Sequence, residues 1–296
     1  MSAASPVRLR AHAKINLDLR ILGVRPDGYH ELRTIFQTIA LHDVVTVESR
    51  RGAFELSGDA ALMPLDGTNL AWRAAEGLWR AAGKRGSPSG ARIVIDKRIP
   101  SQAGLGGGSS DAAASLVGLN RVWRLGLSRA RLMALAATLG ADVPFFLVGG
   151  TALGLGRGDE IYPLVDLPVR PVVVAWAGEG VSSAEAYAWY TAGAAGRRPV
   201  KAAGSPVALA DGDLSALQNH LDGPVESRRP AIRRLRRELT ATDALAARMS
   251  GSGSAVFALF AKVPAARRAA AAISGPGRHV LVTRTLGRLA GGHQVG

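Results

Sequence analysis

The sequence predicts an α+β protein made of two halves. Candidate strands and helices are interspersed along the chain, without the strict strand–helix–strand alternation of a parallel sheet. Apolar residues make up 47% of the 296 residues, which is enough for a substantial core and excludes wholesale disorder. Because a domain averages roughly 150 residues, this length predicts two domains. We place them at residues 1–160 and 161–296.

The N-terminal half is expected to begin with an interrupted strand. Apolar residues alternate from Val7 to Ala11 and again from Ile15 to Ile21, so a bend or a hairpin is expected near Lys14. A turn signal, Arg25-Pro26-Asp27-Gly28, follows. The other predicted elements are strands at 44–47 and 92–96 and helices from Asn69 to Ala82, Ser110 to Trp123 and Ser128 to Leu139.

The C-terminal half mixes short strands with Ala-rich and Arg-rich helices. A loop is predicted from Gly193 to Val207, where Ala, Gly, Pro and Ser dominate. The predicted strands are 172–176, 255–259 and 279–283, and the predicted helices are 183–190, 214–221, 231–239 and 263–273.

One apolar segment is long enough to suggest a membrane span. Residues 132–156 carry a single charge, Asp142, together with Pro144 and five glycines. A carboxylate near the middle of a span costs roughly 2.5–3.5 kcal/mol on insertion scales. We therefore expect a helix, a turn and a buried strand here.

The charge of the chain favours anionic partners. The formal net charge is +14, and only five of the 37 basic residues are lysine. Nucleic acid, a membrane surface or a phosphorylated small molecule would each suit this charge, although compositional bias explains scattered arginines equally well. The absence of cysteine excludes a disulfide framework, a thiolate metal site and a thiol nucleophile. His12, His42 and His220 lack metal-ligand spacing, so no protein-caged metal is expected.

A glycine-rich loop is the most informative segment. It lies between a predicted strand and a predicted helix, so the free N–H groups at the start of that helix would face a bound anion. Its sequence matches neither the Walker pattern nor the dinucleotide fingerprint, yet a flexible linker would not be flanked so closely by regular structure. We predict that it binds the phosphates of a nucleoside triphosphate, with hydroxyls of Ser109 and Ser110 available to phosphate or a phosphate-bound cation. The predicted phosphate-binding residues are Pro100, Ser101, Gln102, Ala103, Gly104, Leu105, Gly106, Gly107, Gly108, Ser109 and Ser110.

The loop resembles the phosphate loop of the GHMP kinases. Two further motifs of that family occur in the expected order, Ala13-Lys14-Ile15-Asn16-Leu17 near the N-terminus and Met249-Ser250-Gly251-Ser252-Gly253-Ser254-Ala255 near the C-terminus. The resemblance implies a two-lobed GHMP kinase fold, with a ribosomal protein S5 domain 2-like N-terminal half and an α/β-plait-like C-terminal half. It also implies ATP as the phosphate donor, with Mg²⁺ carried by the nucleotide.

The match is narrower within the family. Segments Arg25-Pro-Asp-Gly-Tyr-His-Glu-Leu32 and Gly140-Ala-Asp-Val-Pro-Phe-Phe146 are similar to those of family members that phosphorylate the 2-hydroxyl of a cytidine diphosphate-linked methylerythritol, in non-mevalonate isoprenoid synthesis. The resemblance implies a cytosine site at Tyr29 and His30, with Tyr187 as an opposite wall. It further implies that Asn16 orients the substrate and that Gly251 and Ser252 belong to the substrate site.

Two residues are unusual in their surroundings. Lys14 is a rare lysine at a strand interruption, and Asp142 is a lone carboxylate in an apolar stretch that needs a cationic partner or a raised pKa. The resemblance implies that they meet at the acceptor hydroxyl. Our hypothesis is that Asp142 accepts the hydroxyl proton, while Lys14 keeps that carboxylate ionised and offsets charge on the transferred phosphoryl group.

Two alternatives remain open at this stage. Another GHMP kinase, acting on homoserine, mevalonate or a sugar, would share the phosphate loop. A basic RNA-binding protein would share the charge, but aromatic residues are only 5% of the chain and form no stacking array. The first 20 residues contain no apolar leader, so we expect a cytoplasmic protein. We also expect a monomer or weak homodimer that binds neither nucleic acid nor membrane.

Overall fold

The computed structural model describes residues 5–178, 180–194, 214 and 216–288. These residues form two β-sheets with helices packed against them, which confirms the predicted α+β class. The first sheet contains β1 (Val7–Val24), β2 (His30–Ala53), β3 (Glu55–Gly58), β4 (Ser89–Asp96), β5 (Thr151–Gly156) and β6 (Glu160–Pro163). Its order is β3-β4-β2-β5-β6, with β1 paired to β2. The second sheet contains β7 (Pro171–Ala177), β8 (Ala246–Met249), β9 (Val256–Leu259) and β10 (Arg278–Arg284), in the order β10-β7-β9-β8.

The first two strands form a long antiparallel hairpin. Its register shifts between His12 and Lys14 and again between Asn16 and Asp18, so the predicted interruption is a bulge within one continuous strand. The turn between the strands lies at the predicted position, where Gly28 adopts φ +82°. The bulge matters because Lys14 lies at it.

Four helices cover the first sheet. Asn69 caps the first of them, its side chain accepting a hydrogen bond from the N–H of Ala71 at 2.9 Å, as its sequence position predicts. Ser128 caps the third in the same way, through the N–H of Arg131. The helices are α1 (Leu70–Ala81), α2 (Gly107–Val122), α3 (Arg129–Leu139) and α4 (Val143–Val148).

The apolar segment 132–156 forms helix, turn and strand, as predicted, and not a membrane-spanning helix. It comprises most of α3, all of α4 and β5, and Phe145 at its centre is fully buried against Phe36 of β2. In the part of the chain that is described, no helix is both long enough and apolar enough to cross a membrane.

The second half of the chain packs its helices on the second sheet. Its elements are β7 (Pro171–Ala177), α5 (Ser183–Ala194), α6 (Asp222–Arg228), α7 (Pro230–Thr240), β8 (Ala246–Met249), β9 (Val256–Leu259), α8 (Val263–Ile273) and β10 (Arg278–Arg284). The predicted division after residue 160 falls at the start of β6, and the domain boundary itself remains a prediction. Most of the loop predicted over 193–207 lies outside the described residues.

The prediction of a helix over residues 214–221 is wrong. Among the described residues there, the chain instead pairs with β1: the N–H of Leu19 donates to the carbonyl of Gln218, and the N–H of His220 donates to the carbonyl of Leu19. The N–H of Gln218 also donates to the Asp18 carboxylate. These contacts satisfy backbone groups that a helix would have paired internally, and the helix begins only at Asp222.

Strand β1 contributes to three separate hydrophobic clusters. Leu9 packs in the core beneath α1 and α2, Ile15 packs between the two sheets, and Ile21 packs in the core of the second half. The opposite face of the same strand carries polar side chains that are nevertheless buried. The apolar row of this strand therefore anchors both halves, and Lys14 and Asn16 of the polar row line a cleft.

Candidate active site

The glycine loop adopts conformations that require glycine. Gly104 and Gly106 both have φ +72°, in the left-handed region that residues with a side chain rarely adopt. A Cβ atom on Gly104 would lie 1.9 Å from the carbonyl oxygen of Ser250, and one on Gly106 would lie 2.6 Å from the Phe146 ring. The loop is therefore held against the third glycine motif on one side and against α4 on the other.

The loop leads directly into α2, whose N-terminus faces the cleft. The first-turn amides of Gly107, Gly108 and Ser109 have no carbonyl one turn earlier in the helix, and the first turn holds no acidic residue. Backbone N–H groups and the helix dipole therefore favour an anion at this position.

Ser110 does not contribute its hydroxyl to this site, contrary to the prediction. Its side chain is fully buried, and Oγ donates a hydrogen bond to the carbonyl of His12 at 2.7 Å. The helical turn directs Ser110 inward against β1, whereas Ser109 lines the cleft. Of the two serines, only Ser109 presents a hydroxyl to a ligand.

Lys14 and Asp142 form an ion pair that lines the cleft. Nζ of Lys14 is 3.4 Å from Oδ2 of Asp142, and the lysine side chain is 4% exposed while the aspartate side chain is 35% exposed. Asp142 precedes α4 without capping it, so its carboxylate is available to a ligand. The pair therefore consists of a buried cation beside a carboxylate that solvent or substrate can reach.

A chain of hydrogen bonds fixes the lysine from behind. Nζ of Lys14 donates to Oδ1 of Asn16 at 2.5 Å, and Nδ2 of Asn16 donates to the Thr34 hydroxyl at 2.8 Å. That hydroxyl in turn donates to the carbonyl of Asp18. The backbone N–H of Lys14 donates to the carbonyl of Leu105, which ties the pair to the phosphate loop.

The residues predicted to bind a nucleobase lie where α5 meets the β1–β2 turn. The rings of His30 and Tyr187 stack with centroids 4.9 Å apart, and Nε2 of His30 is 3.0 Å from the Thr191 hydroxyl. Burial lowers the pKa of His30, which favours the neutral ring. Burial, reinforced by the charge of Asp142, raises the pKa of Tyr187, which keeps its phenol protonated. Tyr29 is 59% exposed, so one face of its ring is open to a ligand.

The third glycine motif closes the site from the second half. A Cβ atom on Gly251 would lie 3.1 Å from Nζ of Lys14, so only a bare backbone can approach the lysine so closely. The hydroxyl of Ser252 is 3.4 Å from that of Ser183. Asn219, whose role the sequence did not indicate, donates to the carbonyls of Met249 and Gly251 and holds this turn in place.

These parts surround one cleft with a volume of about 1370 Å³. Every residue that the sequence predicted for the site lines it, with the exception of Ser110. The cleft runs from the glycine loop, past Lys14 and Asp142, to Tyr29 and His30.

Sequence reasoning missed a buried ion cluster beneath the phosphate loop. Nζ of Lys97 donates to Asp43 at 2.6 Å and to Asp111 at 2.9 Å, and all three side chains are nearly inaccessible. Burial raises the pKa of Asp111 to about 7, although the charge of Lys97 opposes this effect. The signal was Lys97 itself, one of only five lysines, placed just before the glycine loop.

Sequence reasoning also missed Arg157. It follows β5 and lines the cleft with its guanidinium 5.3 Å from the Tyr29 ring centroid. Its sequence context, a glycine on each side, resembles any tight turn and carried no functional signal. Within the described ranges, no cluster of three or more His, Asp or Glu side chains could hold a metal ion.

Comparison with known proteins places the chain in a family of kinases. The model of the GHMP kinases N-terminal domain matches residues 69–150, and that of the GHMP kinases C-terminal domain matches residues 204–279. The chain belongs to the GHMP kinase family.

Two curated relatives of similar length carry the same name. The chain is 43% identical over 282 residues to a 4-diphosphocytidyl-2-C-methyl-D-erythritol kinase of Pelotomaculum thermopropionicum, covering 93% of this chain and 96% of that protein. It is 44% identical over 288 residues to the kinase of that name from Gloeobacter violaceus, covering 94% of each.

Solved structures show the same architecture. A crystal structure of 4-(cytidine 5'-diphospho)-2C-methyl-D-erythritol kinase has a TM-score of 0.79 at 38% identity and covers 95% of this chain and 99% of that one. L. major mevalonate kinase has a TM-score of 0.72 at 16% identity, with 97% of each chain covered, which shows a shared fold.

Proposed function

We propose that this protein is an ATP-dependent kinase that phosphorylates the 2-hydroxyl of 4-diphosphocytidyl-2-C-methyl-D-erythritol, a step in non-mevalonate isoprenoid precursor synthesis. The observation that carries the proposal is the Lys14–Asp142 pair, which lies in one cleft between a phosphate loop and an aromatic site. The names of the curated relatives, at 40–44% identity over most of the chain, support the choice of acceptor.

The glycine loop would bind the triphosphate of ATP. Amides at the N-terminus of α2 supply donors, and Gly104 and Gly106 let the backbone approach the phosphates closely. Magnesium usually keeps several waters and is held largely by nucleotide phosphates, so it needs few protein ligands. The hydroxyl of Ser109, a half-buried residue that lines the cleft, would be available to join that shell, and the bound ion would neutralise charge on the phosphates.

Asp142 and Lys14 would act on the acceptor hydroxyl. Asp142 accepts the proton of the attacking hydroxyl, and its partial exposure allows that contact. Lys14 pairs with the carboxylate before transfer and offsets charge on the phosphoryl group during it. Asn16 holds the lysine in position, and so acts on the reaction through Lys14.

The aromatic site would hold the cytosine of the acceptor. Tyr29 offers an open ring face for stacking, and the neutral His30 ring can exchange hydrogen bonds with a base edge. Tyr187 stacks on His30 and lines the same cleft as Tyr29, so it would contribute to the proposed base site from α5.

An acceptor panel tests the proposal. The purified protein is incubated with Mg²⁺, ATP and one acceptor at a time, namely the diphosphocytidyl methylerythritol, mevalonate, homoserine or galactose. We expect ADP formation with the first acceptor, and phosphorus NMR should place the new phosphate on the tertiary 2-hydroxyl. Faster turnover of mevalonate, homoserine or galactose would favour another activity of the family, and tight salt-dependent RNA binding without ATP turnover would contradict a kinase.

A further inference from the structure

The proposed acceptor brings its own charge into the cleft. A diphosphate diester carries about two negative charges at neutral pH, and burying it requires donors or cations nearby. Among the described residues, four side chains that carry a full positive charge line the cleft: Lys14, Arg73, Lys97 and Arg157.

Three of these cations belong to other parts of the cleft. Lys14 is engaged by Asp142 and Asn16 at the proposed transfer centre. Lys97 is held between two buried carboxylates beneath the phosphate loop. Arg73 lies on α1, whose first turn packs beside the loop through Leu70. All three therefore lie at the phosphate-loop end or at the centre.

Arg157 is the cation at the aromatic end. It stands in the β5–β6 turn, with its guanidinium over the Tyr29 ring. Its Nε and one terminal nitrogen both donate to Oδ2 of Asp159, at 3.1 and 2.5 Å. Within the residues that the structure describes, Nη1 makes no hydrogen bond, so part of the guanidinium fork is free to bind a ligand.

The carboxylate next to this arginine pre-orients it. The side chain of Asp159 is only 14% exposed, and its Oδ1 also accepts the backbone N–H of Arg157. An arginine held in this way loses little conformational entropy when it binds an anion. Asp27, the other carboxylate close to Arg157, pairs with Arg25 at 3.3 Å.

We propose that Arg157 is a substrate-binding residue that contacts the diphosphate of the acceptor, while its guanidinium plane packs on Tyr29 beside the cytosine. This inference rests on the proposed function, because it assumes a nucleoside diphosphate acceptor. It makes Arg157 a specificity residue: a family member whose acceptor lacks a diphosphate gains nothing from a cation here.

CDP and cytidine are fragments of the proposed acceptor that differ by the diphosphate. Their inhibition constants therefore distinguish an Arg157 that binds the diphosphate from one that only supports the Tyr29 ring. Inhibition constants of CDP and of cytidine against the diphosphocytidyl substrate are measured for the wild type and for Arg157→Gln. We expect the constant for CDP to rise about tenfold or more, as for loss of a charge-assisted hydrogen bond. The constant for cytidine should change by less than twofold, and KM for ATP should not move.

Two control variants separate a contact made by Arg157 from a general effect of net charge. Arg268→Gln removes an arginine that pairs with Asp243 on the exposed surface, so it lowers the net charge equally and should leave both inhibition constants unchanged. Arg157→Lys keeps the charge and should lose less CDP affinity than Arg157→Gln.

Two outcomes would overturn the inference. One is an equal rise of the CDP and cytidine constants, which would mean that Arg157 only supports Tyr29. The other is an unchanged CDP constant in both Arg157 variants. If the wild type itself neither phosphorylates the diphosphocytidyl substrate nor is inhibited by CDP, the proposed function fails, independently of Arg157.

Discussion

Replacing Gly104 with alanine tests how the phosphate loop is held in place. The added Cβ atom would lie 1.9 Å from the carbonyl oxygen of Ser250. Real Cβ atoms essentially never lie closer than 3.0 Å to another heavy atom in this way. The obstacle is backbone rather than a flexible side chain, so the two glycine turns must move apart by roughly 1.1 Å, the difference between these distances. The left-handed φ of Gly104 adds about 1 kcal/mol of strain for alanine.

That movement acts on both stability and catalysis. It would lengthen the hydrogen bond from the Ser250 hydroxyl to the carbonyl of Gly104, now 2.8 Å, and disturb the adjoining bond from the N–H of Ala255 to the carbonyl of Ala103. A displacement of about 1 Å at a reacting centre can cost about 10²-fold in rate. We therefore expect kcat/KM for ATP to fall by about two orders of magnitude, and Tm to fall as well.

Steady-state kinetics and thermal unfolding measure these effects, with two glycine-to-alanine controls. Gly77→Ala in α1 meets nothing within 4 Å and should leave activity unchanged and stability equal or slightly higher. Gly108→Ala in the same loop meets only a Leu70 methyl at 4.0 Å, so its Tm should stay close to that of the wild type. A Gly104→Ala protein with wild-type Tm and kcat/KM within threefold of the wild type would refute the reasoning.

Three further predictions concern the proton acceptor, the base site and the buried ion cluster. Asp142→Asn should lower kcat at least ~10²-fold with KM values little changed, and near-normal turnover by a folded variant would exclude Asp142 as the base. Tyr29→Ala should raise KM for the diphosphocytidyl substrate about tenfold or more while KM for ATP stays constant, and equal effects on both would argue against base stacking. Burial raises the pKa of Asp111 from 3.8 to about 7. Between these two values the folded state binds a proton that the unfolded state releases, so the free energy of unfolding falls as pH rises. The contribution of Asp111 to stability is therefore fully present below about pH 4 and lost as pH rises through about 7. Urea unfolding of Asp111→Asn from pH 4 to 8 should therefore show a smaller fall in stability with pH than the wild type, and parallel curves would contradict the raised pKa.

Much of the local structure could be predicted from short stretches of sequence. The caps at Asn69 and Ser128, the turn ending at Gly28 and the helix over 263–273 lie where the pattern predicted them. These features depend on residues within a few positions of each other, which is the range over which periodicity and capping act. The prediction of a helix over residues 214–221 was wrong because a long-range interaction decides the structure there. Backbone hydrogen bonds to β1, about 200 residues away in the chain, replace those of a helix.

The candidate site was predictable in its residue types but not in its assembly. The apolar alternation that predicted β1 leaves a polar row on the opposite face, and all of its members are buried in the structure, namely Lys14, Asn16, Asp18 and Arg20. A polar face on a strand normally indicates solvent, so alternation alone would have placed this row on the surface. The glycine loop and the third glycine motif cover Lys14 and Asn16. The chain at residues 216–218 covers Asp18 and Arg20.

The sequence by itself determined the glycine loop, the helix that follows it and the strand that carries Lys14, since these depend on steric freedom and hydrophobic periodicity within short segments. Only the tertiary structure decided that Lys14 meets Asp142, that Ser110 turns away from the cleft and that Arg157 reaches Tyr29. Each of these outcomes joins or separates segments far apart in the chain. They depend on how the two sheets, the helices and the long β1–β2 hairpin pack together, and no local pattern encodes that packing.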